Sequence, residues 1–130
     1  TRVEAPSNVT VPDVNSEVSK GVARPVEVTQ AAPKVRAKYR SFNLTISSSR
    51  FNPDTVIVNE GDTVRLNLTA VDGNYDFFQP DYELKRVILQ GQTEIAQFDA
   101  VQDGKYTFYC KRCGGPDQGP QGYLIIKPRT

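Results

Sequence analysis

Phe51-Asn-Pro-Asp-Thr-Val-Ile-Val-Asn-Glu-Gly-Asp-Thr-Val-Arg-Leu-Asn-Leu-Thr69 holds the pattern from which the fold is read. Its second half alternates strictly: Val64, Leu66 and Leu68 share one face, and Thr63, Arg65 and Asn67 share the other. A period of two marks a strand buried on one side. Its first half contains Thr55–Asn59, a β-branched run of strand length. Glu60-Gly61-Asp62 separates the two as a turn, with glycine available for a positive φ. The same pattern repeats on either side. Ser41–Ser47 places Phe42, Leu44 and Ile46 together. Tyr75–Phe78, Leu84–Leu89, Thr93–Ala100, Lys105–Cys110 and Gly122–Lys127 follow, punctuated at Asp72-Gly73, Gln90-Gly91 and Asp103-Gly104. About eight short strands with regular turn signals predict an all-β sandwich or barrel. The sequence carries no amphipathic helical stretch and no internal repeat.

Residues 1–38 differ in kind. They contain no aromatic residue, are rich in Val, Ala, Ser and Pro, and have prolines at 6, 12, 25 and 33. This is the composition of an extended tail or linker, and residues 39–130 form the expected domain. Asn8–Val11 and Val26–Gln30 are the two pieces of the tail able to pair as strands. The chain opens on Thr1 in polar sequence, as expected of a mature or trimmed product. No run approaches the ~20 apolar residues of a membrane-spanning helix, so no membrane span is expected in this chain.

Composition narrows the chemistry. The 130 residues carry a net charge of +1, which gives no ground for wholesale nucleic-acid binding. That charge divides into +3 over residues 1–40 and −2 over the rest, a mildly basic tail on a mildly acidic body. There are no His, Met or Trp residues. Without His, the usual general base at neutral pH and the commonest metal ligand are absent, and Ser/His and Cys/His nucleophilic schemes are excluded. The Asp and Glu residues form no calcium loop and no recognisable carboxylate pair. Gly114-Gly-Pro-Asp-Gln-Gly-Pro120 is a loop set by Gly and Pro, outside any helix-initiating pattern that would cradle phosphate. No small-molecule substrate follows from these residues, and the chain is expected not to be an enzyme.

Several motifs in fixed order resemble the cupredoxin family, and within it the copper domain related to cytochrome oxidase subunit II. Phe51-Asn-Pro53, Ile57-Val58 and Gly61-Asp62-Thr63-Val64 resemble the family's opening strands. Gly91-Gln92-Thr93 resembles a later turn, and Gly104-Lys-Tyr106-Thr-Phe108-Tyr-Cys110 resembles the strand leading to the copper-binding cysteine. Cys113-Gly114 and Gly122-Tyr-Leu124-Ile-Ile126 resemble the ligand loop and closing strand. The likeness covers roughly residues 41–128 and implies a cupredoxin-like Greek-key β-sandwich of about eight strands carrying an extended N-terminal tail. It also implies a copper centre of two His, one or two Cys and usually a Met. Here the ligand positions are degenerate. Tyr75 stands where the first His is expected, Asp117 at the second, and Pro120 at the Met, with only Cys110 and Cys113 retained. Two imidazoles and a thiolate are required for a trigonal blue-copper site, so neither that site nor the dinuclear one is expected.

The Cys110-Lys-Arg-Cys113 pair has several readings. One is a disulfide pinning the loop to its strand, as suits an exported protein. Alternatively the two thiolates, with Asp117, hold Cu(I) or Zn(II), since soft sulfur suits Cu(I). A redox dithiol, activated by Lys111 and Arg112, and two inert free thiols are the remaining possibilities. Glycosylation sequons occur at Asn8, Asn43 and Asn67, the last two on outward strand faces. Tyr75, Tyr82, Tyr106, Tyr109 and Tyr123 read as core or half-buried sandwich positions, or as a partner-binding surface.

These readings converge on a non-enzymatic, extracytoplasmic structural or interaction module, secreted, periplasmic or on the cell surface, without a cofactor. Its expected partner is a protein or a second copy reached through the tail, which serves either as a tether to a membrane or cell-surface component or as a strand that adds to a neighbouring sheet and builds a filament. Two alternatives are a copper-handling protein that binds Cu(I) through Cys110 and Cys113, and an accessory domain of a respiratory complex.

Overall fold

A computed structural model describes residues 5, 9–30, 38–114 and 119–128 of the chain. Ten strands follow in order: β1 (Glu27–Gln30), β2 (Lys38–Ser47), β3 (Arg50–Asn52), β4 (Thr55–Asn59), β5 (Thr63–Ala70), β6 (Tyr75–Gln79), β7 (Leu84–Ile88), β8 (Thr93–Asp99), β9 (Gly104–Tyr109) and β10 (Gln121–Lys127). Short 3-10 turns occupy Pro80–Tyr82 and Lys111–Cys113. The strands form two sheets. The first runs β1-β2-β5-β8, with β3 also on β2, and the second runs β4-β10-β9-β6-β7. β2 pairs with β5, and β4 with β10, in parallel, so the chain crosses between sheets rather than folding as simple hairpins. The all-β sandwich and its eight expected strands are present, with ends shifted by up to three residues. β1 was foreseen within Val26–Gln30. β3 was not, because three residues are too few to display a period.

The alternation read from the sequence builds the core. Val64, Leu66 and Leu68 are buried and face Phe42, Leu44 and Ile46 of β2 across the parallel ladder. From the second sheet Val56, Val58, Phe77, Phe108, Leu124 and Ile126 close on them. Phe51, Phe77 and Phe108 stack edge-on and tilted, with centroids 5.0–6.2 Å apart. Such pairs add to area burial through their ring quadrupoles.

At one end of the sandwich, the Gly61-Asp62 turn is fixed by a buried carboxylate. Asp62 accepts from the Lys38 amide (2.9 Å), the Asn59 amide (2.9 Å) and Arg40 Nε (2.7 Å). Arg40 is itself buried and passes a further bond, from Nη1, to the Pro12 carbonyl at 3.1 Å. A buried ion pair is tolerable only when its remaining donors and acceptors are occupied in this way.

The described part of the tail lies on its own domain. Ala23 N donates to Thr55 O (2.6 Å), Val26 N donates to Ser41 O (2.7 Å), and β1 continues antiparallel along β2. Ala5, Val9, Val11 and Val22 pack onto Ile57 and Ile125, on the outer face of the second sheet. Lys127 Nζ donates to Val9 O at 2.9 Å. The strand expected at Asn8–Val11 does not form over Val9–Val11, which serve as this apolar cover instead, and Asn8 lies outside the described residues.

Candidate functional site

The β2–β3, β5–β6, β7–β8 and β9–β10 connections meet at the opposite end of the sandwich, and the positions implied as copper ligands gather there. Tyr75 opens β6 with its ring in the core. Its hydroxyl donates to Asp72 Oδ1 at 2.7 Å and accepts from the Ser49 amide at 3.4 Å. Asp72 Oδ2 accepts from the Ser48 amide at 2.8 Å. Ser48 and Ser49 both adopt positive φ, 51° and 56°, in the tight β2–β3 turn, a conformation that disfavours non-glycine residues. Asp72 and Tyr75 therefore clamp a strained hairpin. The Ser48 amide, and after it the Tyr75 hydroxyl, holds the Asp72 carboxyl below its ordinary range. The bond to Asp72, followed by burial, pushes the Tyr75 phenol up.

Cys110 directly follows β9, fully buried, and is disulfide-bonded to Cys113 with their Cα atoms 5.3 Å apart. The intervening 3-10 turn is held from β6. Asp76 is buried; its Oδ1 accepts from Lys111 N (2.6 Å), its Oδ2 from Arg112 N (3.2 Å), and its own amide donates to Cys110 Sγ at 3.4 Å. Gly114 closes the turn at φ 113°. The buried Pro120 contributes its carbonyl, which accepts from Cys110 N at 3.2 Å. Gly119 lies so close that a Cβ there would stand 2.8 Å from Cys113 Cβ. Asp117 lies outside the described residues. The site therefore brings together Tyr75, Cys110, Cys113 and Pro120, with each polar group committed to a protein partner.

These residues do not fit the copper centre the family likeness implies. The chain has no imidazole and no thioether, the phenol at the first position is hydrogen-bonded and resists ionisation, and both sulfurs are joined to each other. Among the described residues, no group of three or more His, Cys, Asp or Glu is placed to hold a metal.

The other singled-out residues lie elsewhere. Asn43 and Asn67 are cross-strand neighbours on the outer face of the first sheet. Asn43 is exposed, whereas Asn67 Nδ2 donates to Asn43 Oδ1 (3.0 Å), Ser41 Oγ (3.2 Å) and Phe42 O (3.3 Å). The Asn8 sequon lies outside the described residues. Tyr82 and Tyr106 pack edge-on inside the sandwich, where burial pushes the Tyr82 phenol up to about 12. Tyr109 and Tyr123 are half-buried on the outer face of the second sheet. Sequence reading missed Asp72 and Asp76. Each is one acidic residue among fifteen, and only tertiary folding aims it at amides far along the chain.

A two-sheet sandwich of mixed parallel and antiparallel strands, with a cysteine just after the strand that precedes its last loop, defines the class. Residues 21–126 match the model of the cupredoxin-like domain, and the chain belongs to that family. No curated protein matches it at the level of sequence. Solved structures share the fold at low identity. A multicopper oxidase is 18% identical with a TM-score of 0.63, over 84% of this chain and 48% of that one. The metal-binding domain of the Cu(I)-exporting P-type ATPase CopA of Streptococcus pneumoniae, solved with Cu(I), is 10% identical with a TM-score of 0.58, over 91% of this chain and 98% of that one. Auracyanin A, a blue copper protein of Chloroflexus aurantiacus, is 15% identical with a TM-score of 0.57, over 68% of this chain and 99% of that one. The neighbours are thus copper-binding or copper-handling proteins, and the likeness to them is one of fold.

Proposed function

We propose that this protein is a non-catalytic interaction module in which a disulfide and a hydrogen-bonded tyrosine occupy the place of the copper centre. The observation that carries the reading is the sealed loop end: Cys110 bonded to Cys113, with the turn between them tied to Asp76 and the Tyr75 hydroxyl tied to Asp72. Among the described residues there, the sulfurs are bonded to each other and the phenol and carboxylates are engaged by hydrogen bonds, which leaves no ligand set for a metal. The disulfide supports a location outside the cytoplasm, where such bonds persist. The partner is a protein. The tail's motive as a donated strand is weakened, since its described contacts are made with its own domain.

Metal titration tests this. Air-isolated protein, two hydrogens lighter than the reduced chain, is mixed with Cu(II) and then with Cu(I) held by a chromogenic chelator. The expectation is that neither ion is retained in stoichiometric amount. One copper per chain bound with the disulfide intact would overturn the reading. A second reading, Cu(I) held by the reduced Cys110 and Cys113, is favoured by their placement on one short turn. Stoichiometric Cu(I) uptake that appears only after reduction and vanishes in Cys113→Ser would establish it.

A further inference from the structure

The two outer faces of the sandwich differ in charge. Strand periodicity directs Lys85 of β7, Lys105 of β9 and Lys127 of β10 outward from the second sheet, and Lys111 and Arg112 project from the turn beside it. Among the described residues of that sheet's outward positions the one carboxylate is Asp76, and it is engaged by the Lys111 and Arg112 amides. Lys127 is spent on Val9 O and the tail covers Ile57 and Ile125, so the uncovered part is the half built by β6, β7, β9 and the start of β10. Ladder registers set Lys85, Phe78, Tyr109 and Gln121 side by side across four strands, a row roughly 14 Å long. Lys111 Nζ stands over the Phe78 ring at 5.0 Å from its centroid, and Lys105 Nζ over the Tyr123 ring at 4.2 Å.

Those two contacts decide the partner's chemistry. An aromatic platform that binds bases or sugars offers bare ring faces for stacking. Here the Phe78 and Tyr123 rings each already carry an ammonium on one face, held by cation–π attraction, and the Tyr109 ring packs edge-on against Phe78. What the face presents outward is therefore fixed positive charge on a flat, partly apolar ground. We infer that this lysine-capped face of the second sheet docks an acidic polypeptide segment, its carboxylates meeting Lys85, Lys105 and Lys111 and its apolar side chains resting on Phe78 and Tyr109. Complementary charge of this kind speeds encounter and sets register. The inference deepens the interaction-module reading and rests on it. Copper uptake tests that reading separately, so failure of one is distinguishable from failure of the other.

The test is a titration of the full chain, disulfide intact, with a short poly-glutamate peptide, followed by backbone-amide NMR. Shifts are expected on β6, β9 and β10, and binding should weaken with added salt. Combined Lys85→Glu, Lys105→Glu and Lys111→Glu should weaken binding by more than about tenfold while thermal melting reports an intact fold. Arg65→Glu, on the opposite sheet, should leave binding unchanged. Absence of binding, binding indifferent to the triple reversal, or tighter binding of an oligothymidylate or a polyuronate to the same face would each overturn the inference.

Discussion

Reduction of the Cys110–Cys113 bond is the sharpest perturbation of the loop end, because it removes one covalent link without adding or deleting a heavy atom. The two residues are separated by three positions, so the bond closes a very small loop. In the chain-entropy treatment a loop of that size constrains the unfolded chain by only about 2 kcal/mol. The native turn has independent support. Asp76 accepts from both intervening amides, Cys110 N bonds Pro120 O, and Cys113 N bonds Cys110 O at 3.2 Å. The reduced protein should therefore stay folded, lose about 2 kcal/mol in urea titration with an unchanged m-value, and melt roughly 5–10 °C lower. Hydrogen exchange at Lys111 and Arg112 should accelerate locally while core amides stay protected. Global unfolding on reduction, or a loss above about 4 kcal/mol, would refute the reasoning, since it would make the disulfide a support of the core rather than a seal on one loop.

Asp62→Ala strands the buried Arg40 and orphans the Lys38 and Asn59 amides, and should cost about 3–5 kcal/mol, far more than removal of an exposed ion pair, measured by denaturant titration against the parent. Alkaline titration should show Tyr82 ionising late. The folded-state pKa of Tyr82 is raised from 10.0 to about 12, so its protonated form is favoured by folding. That contribution is complete below about pH 10 and is lost as pH rises toward 12; tyrosinate absorbance should show a late step that disappears on unfolding, and a single step for all six tyrosines would contradict it.

Where side chains alternate, the fold was legible. β5 reads inward and outward without ambiguity, and the same holds for the buried Tyr106 and Phe108 of β9 and for Cys110 just after it. The tail's destination was harder to read, because small Val and Ala residues carry no period of their own. Its receiving surface did leave a mark. Val56-Ile57-Val58 and Leu124-Ile125-Ile126 are continuous apolar runs, as expected of strands covered on both faces, and Ile57 and Ile125 are the residues the tail covers. At the loop end, family likeness located Tyr75, Cys110, Cys113 and Pro120. It did not reveal how those positions are held, because that depends on Asp72 and Asp76 reaching amides brought near only by folding.

The clamp of Tyr75, Asp72 and the two left-handed serines also bears on which mutational paths remain open to this chain. Tyr75→His on its own would withdraw the hydroxyl that Asp72 and the Ser49 amide share, loosening a turn already held in an unfavourable conformation. The single imidazole so introduced would face sulfurs bonded to each other. A second imidazole at Asp117 would likewise bring no metal while the first is missing. The Tyr75→His step thus gives up existing interactions before any coordination bond can replace them. At Tyr75, then, any mutational route toward an imidazole begins with a climb in free energy, because the clamp on the β2–β3 turn is given up first.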